Sequence, residues 1–485
     1  MNRYHTRIFA FIALAVLATP GVAFAQLEAH GIRGIGMGGS GTAAVAGLDA
    51  ISLNPARLVA DDAGFRRLAI STGSFTVFAG GPLVQFQAYN DAFTTGAVIT
   101  PETGHSIVAD WFGSSSLSTI QRAGVQAQTV PLALAMRVND WGFGVSLRSR
   151  SYGQLGINGG WVDLLLIGTA EERTLPLNGD LSVVNMFDVS VAVARSFLDG
   201  RLSVGATPRL VLGSDYSRIT LDSDVTVNST SVIHDFDYKI QSAGSINRDV
   251  LSQVNLFSTD PFGNGSFTPT PFSIAGTGLG LDLGVRYSYS RNVDLAASVT
   301  DMGFVNWTGD AATYKPVNNQ FRFDGIELNL DELQNQFDND FGQYLESRLD
   351  SLARIAYEES TTEAGSFKAQ LPTRIHAGAS FRLLGGKATV STGGSVAANT
   401  APGNVSRNPS LHVGGEYRLG GRAFNVPLRG GVQVGGSGAL TLAFGFGIHA
   451  GPYRMELGVA ATPTTTSVGQ GGRYMVGASL VNLSF

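Results

Sequence analysis

Between Leu279 and Tyr289 the chain alternates without a break. Leu279, Leu281, Leu283, Val285, Tyr287 and Tyr289 fall on one side, and Gly280, Asp282, Gly284, Arg286 and Ser288 on the other. Successive side chains of a strand point to opposite faces, so this is a strand with one apolar face. The same period of two runs through Leu132–Val138, Trp141–Leu147, Phe187–Val193, Leu202–Leu212, Leu440–Ile448 and Tyr453–Ala461. The second face is the strong constraint. A soluble sandwich shares its apolar face with a packed partner sheet. Here the other face carries Arg148, Asp188, Arg209, Asp282, Arg286, Glu416, Arg418, Arg454 and Glu456, interleaved with glycine. Lipid outside and a polar lumen inside accounts for that pattern directly, and these nine residues are read as lumen-facing.

Connection lengths point the same way. Fourteen strands are expected near 65–78, 122–138, 141–153, 183–197, 201–214, 277–290, 293–307, 370–384, 387–398, 408–419, 425–436, 439–450, 453–462 and 473–485. Tight turns such as Asn139-Asp140, Arg291-Asn292 and Gly451-Pro452 alternate with long connections at 79–121, 154–182, 215–276 and 308–369. An even strand count with short periplasmic turns and long outer loops predicts an all-β, transmembrane antiparallel barrel. Charged residues make up 15% of the chain, well below the roughly 25% of soluble domains. A net charge of −5 excludes the basic surface that nucleic-acid binding needs. There is no Cys, which excludes disulfide scaffolds, thiolate metal sites and cysteine catalysis.

The N-terminus reads as a secretory signal peptide over residues 1–25: Arg3 and Arg7, the apolar run Ile8–Leu17, then Ala23-Phe24-Ala25. Residues 26–64 are not strand-like, and 65–485 form the expected barrel. Gly34-Ile35-Gly36-Met37-Gly38-Gly39 fits a dinucleotide-loop spacing, but no strand precedes it and no βαβ unit follows, so that reading fails. His376, His412 and His449 fall on inward faces of separate strands and are read as wall residues, not metal ligands. No Ser/His/acid set can be assembled from the motifs, so no catalytic residue and no cofactor is expected. The chain ends Val481-Asn482-Leu483-Ser484-Phe485, an alternating strand with a terminal aromatic.

The outer loops are expected to be helical. Asn329 with Glu332 fits a capping box ahead of Leu330, Leu333, Phe337, Phe341, Tyr344, Leu345, Leu349 and Leu352, and Pro101 opens a second helix running to Phe112. The phase of strand 293–307 would put Asp301 into lipid, where a charge is expensive. A bulge at Asp301-Met302-Gly303 that turns it inward, an open wall kink, or an outer-interface position would each resolve this. A lipid-facing Arg at Leu283 is expected to cost roughly 2–4 kcal/mol, and one at Gly284 much less.

Residues 26–64 resemble the N-terminal plug of FadL-type barrels, the outer-membrane transporters of long-chain fatty acids and other hydrophobic compounds. The resemblance rests on Gly36-Met37-Gly38-Gly39, Ala43-Ala44-Val45-Ala46, Asp49-Ala50 and Asn54-Pro55-Ala56 with Leu58. Asp301–Trp307 and Leu371-Pro372-Thr373-Arg374 look like an uncharacterised branch of these barrels. The resemblance implies a plug that fills the lumen and a strand kink that opens sideways into the membrane. Separately, the terminal aromatic Phe485 on its alternating strand resembles the signal that outer-membrane proteins present to the barrel assembly machinery. Asn54 and Asp49 are expected to bond lumenal arginines, with Pro55 fixing a turn.

The expected protein is therefore a monomer in the bacterial outer membrane, surrounded by lipid and lipopolysaccharide. It would admit a hydrophobic small-molecule ligand by passive, plug-gated diffusion. The alternative is a non-transporting adaptor or secretion-associated scaffold acting through the 215–276 and 308–369 loops. Transport predicts a continuous apolar pocket beneath the loops; an adaptor predicts a polar, blocked lumen and an exposed apolar loop patch.

Overall fold

The computed structural model describes residues 31–45, 47–60, 65, 67–94, 96, 98–112, 117–169, 171–244, 273–325, 329–337, 340–344, 347–348, 360–421, 423–436, 438–463 and 471–485. The signal-peptide reading lies outside these residues.

Fourteen strands make the wall: β1 Leu68–Gly81, β2 Gln121–Val138, β3 Trp141–Ile157, β4 Gly179–Phe197, β5 Leu202–Val227, β6 Gly276–Ser290 and β7 Val293–Trp307, followed by β8 in two pieces, Phe367–Gln370 and Arg374–Leu383, then β9 Ala388–Ala397, β10 Ser410–Gly420, β11 Phe424–Gly435, β12 Gly438–Ala450, β13 Tyr453–Ala461 and β14 Gly472–Ser484. Each pairs antiparallel with the next, and β14 closes on β1 from Ala69↔Ser484 to Gly81↔Gly472. Closure leaves no unpaired wall edge, which a bilayer demands. Leu279, Leu283, Val285 and Tyr287 are exposed, while Asp282 and Arg286 between them are buried. The apolar face thus points out and the charged face in, giving a bacterial outer-membrane barrel.

Aromatic residues gather on the outer face near the tight turns, among them Trp141, Phe197, Tyr287, Phe381, Tyr417 and Phe424. The Arg195 guanidinium lies 4.8 Å from the centre of Trp141 and 5.0 Å from that of Phe197. An aromatic girdle with cations at headgroup level suits a membrane interface.

The outer loops differ from expectation. Helices Phe86–Phe93, Pro101–Phe112 and Gly159–Ile167 are present, and Val108, Trp111, Phe112 and Val162 pack together between them. The 215–276 and 308–369 loops, however, are built largely of strand where they are described. β5 runs past its expected end at Ser214 to Val227 and pairs there with Val232–Ala243, which in turn holds Ala312–Pro316 and Gln320–Phe323. The reason is continued alternation: Val225, Val227 and Phe236 are buried, Val225 and Val227 against Leu175 and Leu177. Of the long helix expected after Asn329, Leu330–Gln336 is seen, with the Glu332 amide donating to Asn329 Oδ1 at 3.1 Å. The positions Leu345, Leu349 and Leu352 lie outside the described residues.

The segment 31–60 runs inside the wall. Its short helix Gly31–Gly36 lies against β11 to β14, and the turn Pro55–Val59 against β2 to β6. Val45, Ile51, Leu53, Leu58 and Val59 pack on the small wall residues Ala69, Ala135, Ala192 and Ala194. Glycines on the inner face supply the remaining room: a Cβ on Gly284 would overlap Asn54 Oδ1, and one on Gly414 would overlap the Met37 carbonyl. Gly284 faces inward as its phase implies, but against the segment and not against water. Its missing side chain is the space the segment occupies.

Candidate functional site

The interior is stacked in layers along the barrel axis. At the periplasmic end, Arg33 Nε donates to Glu416 Oε2 at 2.8 Å, and Arg429 Nε reaches the same oxygen at 2.8 Å. Arg418 Nε donates to the other Glu416 oxygen at 2.9 Å, and Glu456 is held by Arg429 and by His449 Nε2 at 2.7 Å. Arg454 and Asp49 complete the rim of a cavity of about 440 Å³, bounded opposite by Phe65, Ser71, Ser74, Phe75 and Val130.

That cavity abuts a lapse in the wall. β1 and β2 pair from Leu68↔Met136 to Ser71↔Ala133 and resume at Ser74↔Val130, leaving Thr72-Gly73 opposite Pro131-Leu132 without a ladder. Pro131 has no N–H to donate, and Gly73 sits at φ +76. β2 also bulges against β3 between Thr129 and Leu132.

Above the cavity lies a buried layer of three arginines and three aspartates from five adjacent strands. Arg148 Nη2 meets Asp188 Oδ2 at 2.7 Å, Arg150 Nη1 meets Asp301 Oδ1 at 2.6 Å, and Arg209 Nη2 meets Asp282 Oδ1 at 2.7 Å. Cross-links at 3.0 Å (Arg150 Nη2 to Asp188 Oδ1) and 2.9 Å (Arg209 Nη1 to Asp301 Oδ1) tie the pairs into one network. Equal numbers of opposite charges leave it formally neutral, so it is a structural layer rather than a site for an ion.

Asp301 joins this layer through a bulge. Leu281 faces Met302 while Leu283 faces Val299, so β7 carries one extra residue, with Asp301 at φ 57 and Gly303 at φ 143. The Asp301 amide donates to Asp282 Oδ1 at 2.6 Å. β8 breaks at the same level, yet Thr373 Oγ1 bonds the Asp301 carbonyl at 2.9 Å and the Leu371 amide bonds the Gly303 carbonyl at 3.0 Å. The wall at 301–303 is kinked and hydrogen-bonded shut.

An apolar cluster caps the ion layer: Tyr152, Val184, Met186, Tyr216, Val305, Trp307 and Leu371, with Tyr216 and Trp307 ring centres 5.2 Å apart. Beside it the 399–407 connection bends into the lumen.

The segment's expected motif residues are all interior, but their partners differ from expectation. Gly36 touches Gly445, Gly38 lies against Val432 at φ +64, and Met37 and Ala56 are buried. Among the described residues Asn54 bonds no arginine. Its Nδ2 donates to the Thr42 and Val285 carbonyls at 3.3 and 3.4 Å, and its Oδ1 accepts from the Ala56 amide at 3.2 Å, capping the turn that Pro55 opens. Asp49 lines the cavity packed beside Gly31, and among the described residues it forms no ion pair with an arginine. The polarity of docking is reversed: the segment brings the cations and the wall the acids. Arg57 Nη1 donates to Asp294 Oδ2 at 3.0 Å, and Arg286 and Arg382 bond the same carboxylate at 2.9 and 2.7 Å. Arg150, two residues beyond Arg148 on one strand face, was findable from alternation; Arg57 and Arg33 were signalled only by being charged within an apolar segment. Among the described residues no group of three or more His, Asp or Glu is placed to hold a metal.

No curated protein matches the chain. Among solved structures it is similar to the toluene transporter TodX of Pseudomonas putida, with 12% identity, a TM-score of 0.47, and 94% of this chain and 98% of that one covered. It is also similar to the CymD monoaromatic hydrocarbon channel, at 13% identity, TM-score 0.44, and 94% and 97% coverage. A Pseudomonas aeruginosa FadL homologue matches at 9% identity and TM-score 0.28, covering 96% of this chain and 100% of that one. The model of a family of unknown function, DUF5723, matches residues 72–459, well over half of the sequence, and the chain belongs to that family.

Proposed function

We propose that this protein is an outer-membrane channel that admits hydrophobic small molecules by passive diffusion, gated by the segment 31–60. The observation that carries the reading is the cavity beside the β1–β2 lapse. An apolar solute gains nothing from the arginine-lined periplasmic mouth, since apolar surface is better solvated by lipid than by water. The interrupted ladder at Thr72-Gly73 and Pro131-Leu132 is where the wall would part to pass it sideways into the bilayer. Movement of the segment, whose Ile51 and Leu48 line the cavity, would connect that exit to the apolar cluster above.

The test is uptake of a fluorescent apolar probe such as N-phenylnaphthylamine into proteoliposome membranes. Thr72→Cys with Leu132→Cys, opposite each other and both outward, would staple the lapse under oxidation. Uptake should fall several-fold when oxidised and recover on reduction. Uptake equal to that of protein-free vesicles in every state would overturn the channel.

A second reading has its own observation. A buried ion layer crosses the lumen and the segment 31–60 fills it below, and Leu330 and Phe341 are 66% and 55% exposed on an outer loop. A surface adaptor would leave probe uptake flat and lose partner retention when Leu330 and Phe341 are replaced by Ser.

A further inference from the structure

Five consecutive residues of a strand-to-strand connection, Ala401 to Val405, are buried. Connections normally run over the surface, because buried backbone must find hydrogen-bond partners. This one finds them across the barrel. On its near side Asn404 Nδ2 donates to Asn399 Oδ1 at 2.9 Å and to the Thr373 carbonyl at 3.3 Å, while Arg374 Nη1 donates to Asn404 Oδ1 at 3.3 Å. On its far side Gln126 Nε2 donates to the Gly403 carbonyl at 3.0 Å, and the Gly403 amide donates to Gln154 Oε1 at 3.4 Å. Gln126 lies on β2 and Gln154 on β3. Around a wall of fourteen strands these stand seven places from β9 and β10, which the connection joins, so the two anchor points face each other across the lumen. Nine residues folded back on themselves reach roughly 15 Å, enough to cross much of such an interior.

The tip also meets the other filling element. Val405 fills the space in front of Gly124, which has no Cβ, and shares an apolar cluster with Ile35 of the lumenal segment, Phe78 and Met475. Ala401, Pro402 and Gly403 add little side chain, and the backbone polar groups of Gly403 are taken by wall amides rather than left for water.

We propose that the 399–407 connection is a second stopper, anchored from the outer side and independent of the segment 31–60, which excludes ions and polar solutes when that segment moves. It makes the barrel selective for solutes that can leave sideways into lipid. The inference goes beyond the proposed channel, and its readout, ion conductance, is separate from apolar-probe uptake.

The test uses the full chain in planar bilayers. Gly205→Leu, Gly284→Leu and Gly414→Leu together place side chains where the segment sits and displace it. A second variant replaces residues 399–407 with Asn-Gly. Heat-modifiable gel mobility verifies barrel folding. Each variant alone should keep conductance within about twofold of the parent, and the two combined should raise it at least tenfold. Full conductance from displacing the segment alone would overturn the proposal. Because the chain has no Cys, Gly124→Cys with Val405→Cys supplies an independent check in an otherwise intact barrel. The pair should cross-link on mild oxidation, and a folded barrel that fails to form the bond would place the connection outside the lumen and overturn the proposal as well.

Discussion

Arg57 of the lumenal segment donates to Asp294 of β7 at 3.0 Å with neither side chain exposed to solvent. Asp294 is shared by Arg286 and Arg382, so the two partners are not equivalent. Asp294→Ala leaves three arginines facing one another and should cost about 3–5 kcal/mol, the usual loss when one member of a buried pair is removed. Arg57→Met keeps the acid paired twice and should cost clearly less. Urea unfolding in lipid vesicles checks the order, and equal losses would mean that Arg57 is the sole effective partner.

Leu283 and Gly284 are neighbours on opposite faces. Leu283→Arg should cost roughly 2–4 kcal/mol from lipid exposure. Gly284→Ala should leave wall stability almost unchanged yet push Asn54 aside. The expected sign is faster proteolysis of the segment 31–60 in the folded barrel, with heat-modifiable mobility retained.

The bulge of β7 has two separable supports. Gly303 at φ 143 occupies a region that L side chains rarely adopt, so Gly303→Ala should cost about 1–3 kcal/mol through strain. Asp301→Ala strips Arg150 and Arg209 of a shared carboxylate and should cost about 3–5 kcal/mol. The two replacements act on one structure, so the double variant should lose less than the sum. Additivity in unfolding measurements would show that the bulge and the ion layer are independent.

Phe485 closes the seam with its backbone: its amide donates to the Leu68 carbonyl at 2.7 Å, and its carbonyl accepts from the Arg67 amide at 2.8 Å. Phe485→Ala keeps these bonds, so equilibrium stability should change by under about 1 kcal/mol, while assembly in cells slows if the ring is a signal. Deleting Phe485 should lower both. Pulse-chase measurement of folded barrel separates them.

The wall is legible in the sequence because pleating is local. Whether Leu283 and Asp282 point apart depends only on their being adjacent in a strand, and the tight turns at Asn139-Asp140 and Gly451-Pro452 mark where strands reverse. The extension of β5 to Val227 escapes a sequence reading because Asp222 and Asp224 resemble loop residues until Val225 and Val227 find Leu177 and Leu175 beneath them. The Asn54-Pro55 turn could be expected from chain chemistry, but not what it would touch.

The sequence by itself determined the alternation that separates lipid-facing from inward residues along the strands, Asp301 excepted, and that the N-terminal stretch was no strand. Only the tertiary structure decided what the inward residues meet. Asp301 reaches Arg150 and Arg209 from strands far away in the chain, Arg57 finds Asp294, and Gly284 is small because Asn54 lies against it. The 399–407 connection carries no pattern that says it turns inward. Its burial depends on Gln126 and Gln154, which closure of the wall brings opposite it. Facing is set by neighbours one residue away, whereas pairing across a lumen is set by how fourteen strands close, and no local spacing encodes that distance.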